Sequence, residues 1–68
     1  MMGNNNVEIN SIHRTSTGKT FEMMDANRNP ADYKDNIEPF LKSKAISWVN
    51  VGQEIECSDT GMILKRIG

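Results

Sequence analysis

Cys57 is the only cysteine in a chain of 68 residues, and His13 is the only histidine. No internal disulfide can staple such a fold. A structural zinc site is excluded as well, because one thiol and one imidazole cannot supply its four ligands. Packing must hold the chain together, alone or against a partner. One small core supplies only about 3–5 kcal/mol in a domain of this size. A chain this short buries roughly 60% of the surface its unfolded form exposes. Little surplus is left for the deep, walled pocket that most enzymes use.

Composition narrows the class. At 37% hydrophobic residues and a net charge of −1, the chain lies outside the disordered class. The charge is near zero in every segment. Arg14, Lys19 and Arg28 balance Glu8, Glu22 and Asp25; Lys34, Lys42 and Lys44 balance Asp32, Asp35 and Glu38; Lys65 and Arg66 face Glu54, Glu56 and Asp59. No segment carries the electrostatic footprint of a phosphate binder. The first residues form no basic region followed by an apolar run, and no window of 18 residues is apolar throughout. With a free thiol, these features read as a cytoplasmic chain with no membrane partner.

The pattern along the chain predicts a flexible N-terminus over residues 1–6 and a single small α+β domain over 7–68. Val7-Glu8-Ile9-Asn10 alternates with period 2 and reads as a strand, with a bulge near Asn10-Ser11 because Ile12 breaks phase. Thr15-Ser16-Thr17-Gly18 is turn chemistry, and Thr20-Phe21-Glu22-Met23 alternates again. The two make an N-terminal hairpin whose apolar face holds Val7, Ile9, Phe21 and Met23. Asn29-Pro30 fits a helix cap followed by proline at the first helical position. Tyr33, Ile37, Phe40 and Leu41 then form one apolar helical stripe within Ala31–Lys44. Pro39 falls inside that stretch, which predicts two pieces: a short turn over 31–35, then a helix capped by Asp35 or Asn36. Ile46, Trp48, Val49 and Val51 read as an apolar strand, Gly52-Gln53 as a tight connection, and Glu54-Ile55-Glu56-Cys57 as an alternating strand. Ser58-Asp59-Thr60-Gly61 is a second turn. The run from Met62 to Ile67 begins apolar on both faces, which predicts a central strand.

The expected fold is a small antiparallel sheet of about 4–5 strands, with an N-terminal hairpin, one short helix and a C-terminal β-meander. The alternative is a bent barrel, since the succession of strands and turns from Val49 to Ile67 resembles part of small SH3-like or OB-like barrels. That likeness implies no particular function.

Three motifs point toward chemistry. Gly18-Lys19-Thr20 resembles the end of a phosphate-binding loop, but His13 stands where its first glycine belongs and a strand, not a helix, follows. Asp59-Thr60-Gly61 resembles the catalytic triplet of aspartic proteases, but Cys57-Ser58 precede it instead of an apolar run, and a turn between two strands explains it without any chemistry. Cys57 with His13 is a conceivable nucleophilic dyad, against the plainer reading of a small core thiol and a solvated strand-end histidine. Glu54 and Glu56 share a strand face with Asp59 nearby, which reads as a solvated acidic face rather than a cation site.

No catalytic, cofactor-binding or metal-binding residue emerges, and no cofactor is implied. The leading expectation is a non-enzymatic module that binds another protein. In this it resembles the short acidic accessory proteins of phages and mobile elements that modulate a host protein. Tyr33, Trp48, Met24 and Met62 are the candidate contact residues, because amphipathic aromatics and adaptable methionines suit interfaces. Self-association into a homodimer is a further route to burying that surface. One alternative is a nucleic-acid-binding barrel pooling His13, Arg14, Lys19, Lys65 and Arg66, which requires the first hairpin and the last strand to lie side by side. The other is an enzyme acting through Cys57.

Overall fold

The computed structural model describes residues 9–68. Its elements are β1 (Ile12–Arg14), β2 (Thr20–Met24), α1 (Tyr33–Asn36), α2 (Glu38–Ser43), a 3₁₀ turn (Ala45–Ser47), β3 (Glu54–Glu56) and β4 (Ile63–Arg66). The four strands form one antiparallel sheet in the order β1-β2-β4-β3. The fold is α+β, and the sheet keeps two free edges instead of closing into a barrel.

β4 is central, as its doubly apolar start predicts. It pairs with β2 on one side and β3 on the other, with Leu64 and Ile63 both buried. On one sheet face Phe21, Met23 and Leu64 meet Ile37 and Phe40 from the helices, together with Ile46 and Val49. Met24 and Ile63 alternate with those residues along their strands, so their side chains project from the opposite face, where they are cross-strand neighbours. They are buried there although they lie outside the main core cluster.

The loop after β2 accounts for that cover. Asp25 Oδ1 accepts from the backbone N–H of Asn27 and Asn29, which closes a tight turn. Ala26 lies against the second hairpin turn, 3.5 Å from where a Cβ on Gly61 would sit. Arg28 then reaches over β4 to Glu54 and donates to both carboxylate oxygens, at 2.7 and 2.8 Å. These hydrogen bonds hold the Glu54 carboxyl below its ordinary range. Folded Glu54 therefore takes up a proton less readily than unfolded Glu54. The stability this pair adds is present above the unfolded carboxylate range and is lost as pH falls through the lowered folded value. In urea titrations Arg28→Gln should be slightly less stable than the native chain at neutral pH. The difference should close from about pH 5 to about pH 3, the range in which carboxylates titrate. A gap that persists unchanged at low pH contradicts this account.

Several expectations are corrected. The expected flexible end, and Val7 and Glu8 of the expected first strand, lie outside the described residues. Ile9 and Asn10 form no strand; the first strand is Ile12–Arg14, and Ile9 is 53% exposed instead of lining the hairpin's buried face. Asn29 does not cap a helix, because its N–H and C=O are both used within the Asp25 turn. Asp32 caps α1 by accepting from Lys34 N–H. The helical stretch does divide before Pro39, which sits in the first turn of α2. The break falls at Ile37, with no side-chain cap from Asp35 or Asn36, and Asn36 instead donates back to the Asp32 carbonyl. Leu41 leaves the apolar stripe and is half exposed. The stretch from Ile46 to Val51 is not a strand, so the C-terminal part is a β3–β4 hairpin and not a three-stranded meander.

Candidate functional site

The segment that departs from the expected strand carries the most prominent surface feature. Lys44 ends α2 in the left-handed conformation, with φ of 60°, uncommon for a residue with a side chain. The chain then winds into the 3₁₀ turn. Ser47 N–H bonds to the Lys44 carbonyl and Trp48 N–H to the Ala45 carbonyl. Ile46 and Val49, three residues apart, both turn inward, to 8% and 2% exposure, while Trp48 between them is 66% exposed. The backbone on either side of Trp48 is held by a cation. Lys19 Nζ donates to the Ser47 carbonyl at 3.0 Å, and Arg66 Nη1 donates to the Val49 carbonyl at 3.1 Å. The most exposed large apolar side chain among the described residues thus stands on a pinned backbone.

Trp48 borders an open groove of about 390 Å³ between α2 and β3, walled by Pro39, Phe40, Ile55 and Cys57, with Glu56 and Asp59 along its edge. That volume is within the range of ligand-binding clefts. Val51 is a further exposed apolar residue three positions after Trp48.

Cys57 is half-buried in the groove wall. Hydrogen bonds from the Thr60 hydroxyl, and then from the backbone N–H groups of Thr60 and Asp59, favour its thiolate. Burial and the Asp59 carboxylate act in the opposite sense, and the balance leaves the thiol below the ordinary cysteine range. Iodoacetamide should therefore alkylate Cys57 faster in the native chain than in Thr60→Val at pH 7.5. Equal rates would show that the hydroxyl does not tune the thiol. His13 cannot serve it as a base. It stands on β1, level with Phe21 and Arg66, while Cys57 follows β3 at the far edge of the sheet, level with Met62, so the two lie well over about 14 Å apart, the width of three strand spacings alone.

The four expected contact residues do not form one patch. Trp48 alone is prominent. Tyr33 is half-buried against the core with its ring 4.9 Å from that of His13. Met62 is half-buried against the core, and Met24 is buried beneath the opposite sheet face. Residues that the sequence reading left out, Pro39, Phe40 and Ile55, complete the groove around Trp48. Their proximity follows from how α2 packs on the sheet, which no local pattern signals.

The five candidate cations are separated as well. The first hairpin and the last strand do lie side by side. Strand alternation nevertheless sends Lys19, His13 and Arg66 to the core face, and Arg14 and Lys65 to the other. Lys19 and Arg66 hold backbone carbonyls, and Lys65 stands in register between Glu22 and Glu54. Gly18-Lys19-Thr20 leads into β2, and Asp59-Thr60 lies in the turn between β3 and β4. Among the described residues, no group of three or more His, Cys, Asp or Glu side chains converges on a point where a metal ion could sit. No helix of the described residues is long and apolar enough to cross a membrane. No family model, curated protein or solved structure matches the chain.

Proposed function

We propose that this protein is a small non-enzymatic binding module that takes up a segment of another protein in the groove between α2 and β3. Trp48 is the anchor of that groove, and its exposure on a backbone held from both sides is the observation that carries the reading. Binding costs free energy whenever mobile groups must be ordered. A tryptophan whose backbone is already fixed has less freedom left to lose. Tryptophan is also among the residues that most often dominate binding energy at interfaces. The apolar walls from Pro39, Phe40 and Ile55 supply a surface against which a partner can exclude water.

The reading is tested by selecting a displayed peptide library on the native chain and counter-selecting on Trp48→Ala. Enrichment of peptides that the native chain retains and Trp48→Ala releases supports the proposal. A library that yields no Trp48-dependent peptide over repeated selections contradicts it.

A further inference from the structure

The groove runs along a free sheet edge, and the chemistry of that edge selects an occupant. Cys57 N–H bonds to the Met62 carbonyl and Arg66 N–H to the Gln53 carbonyl. Hydrogen-bonded pairs alternate along an antiparallel ladder, so Ile55 and Leu64, midway between those pairs, form the next one. Glu54 and Glu56 then direct their own N–H and C=O groups outward, and neither makes a backbone hydrogen bond outside the ladder among the described residues. The side chains of Ile55 and Cys57 face the groove, and those of Glu54 and Glu56 project from the opposite face. Both Glu54 oxygens are taken by Arg28, which arrives from the β2 side across the sheet and leaves the edge clear. Glu56 is exposed and has no ion pair among the described residues.

We propose that the occupant is an extended segment alternating apolar and basic residues, which joins β3 antiparallel as a fifth strand. This rests on the reading of the groove as a binding site. Alternate apolar side chains of the segment enter the groove beside Trp48, Phe40 and Ile55, while a basic side chain stands opposite Glu56, whose carboxylate has no ion pair among the described residues. Main-chain pairing at an exposed edge supplies attachment, and the alternating side chains supply selectivity. Opposite charges directly across a strand pair are favourable and like charges are not. The same acidic edge disfavours a second copy pairing through its own β3, because Glu56 would meet like charge.

The probe is a blocked hexapeptide of alternating valine and lysine, titrated while following the fluorescence of Trp48, the only tryptophan. Saturable binding is expected, weaker by about fivefold when glutamate replaces lysine, the effect of turning the cross-strand attraction at Glu56 into a repulsion. Glu56→Lys should reverse that order of preference. N-methylation of the lysines should abolish binding, because their N–H groups face β3, while N-methylation of the valines should leave it intact. Equal affinity for the two peptides, or binding indifferent to lysine N-methylation, overturns the proposal. A molecular mass that rises with protein concentration and falls back when the peptide is added also overturns it, since a second copy would then be the occupant of the edge. Trp48-dependent library peptides with neither alternation nor basic residues would overturn this inference while leaving the binding groove itself standing.

Discussion

Leu64→Ala should lower the melting temperature by at least about 10 °C, and Leu41→Ala should barely move it. Leu64 is fully buried on the central strand, between Met23 of β2 and Ile55 of β3. Truncating such a leucine removes its transfer free energy and leaves a cavity, at a cost of about 2–5 kcal/mol. A single core of this size supplies about 3–5 kcal/mol in all, and the chain has no disulfide to make up the difference. Leu41 is half exposed on α2, so its truncation should stay within about 0.5 kcal/mol. Thermal melts followed by circular dichroism measure both. A Leu64→Ala variant as stable as Leu41→Ala would mean that β4 is not the centre of the sheet.

That contrast also marks where sequence reading succeeds and where it stops. Leu64 lies in a run that is apolar at successive positions, and only a strand covered on both faces needs such a run. Pro39 dictated a division of the helical stretch because its ring cannot occupy a helix interior. The Thr15–Gly18 and Ser58–Gly61 turns were legible from residue type alone. Leu41, by contrast, fits the helical stripe as well as Phe40 does, and its exposure depends on how α2 sits on the sheet. Ile46, Trp48, Val49 and Val51 failed for a different reason. A short apolar run does not distinguish a strand from a helical turn, and the deciding event is the left-handed turn at Lys44. The burial of Met24 and Ile63 was hidden too, since it requires the Asp25 loop to fold back and Arg28 to cross to Glu54. Of the candidate contact residues, Trp48 was named from residue type. Its groove partners come from α2 and β3, which only the tertiary fold brings together.

Trp48→Ala should separate binding from folding. The side chain is two-thirds exposed, and the buried anchors of its segment, Ile46 and Val49, are untouched by the substitution. The cations Lys19 and Arg66 bond to carbonyls of neighbouring residues and remain in place. An exposed substitution of this kind should shift the melting temperature by no more than about 4 °C. A tryptophan at the centre of an interface contributes at least about 2 kcal/mol, roughly thirtyfold in affinity. A protein whose Trp48 merely happened to be exposed would lose neither stability nor binding.

The most direct measurement is calorimetric titration of one peptide, selected on the native chain without counter-selection, into the native chain and into Trp48→Ala, with a melt recorded for each. A pinned tryptophan anchor predicts affinity weaker by about thirtyfold or more at a nearly unchanged melting temperature. Equal affinities with equal melting temperatures would contradict it.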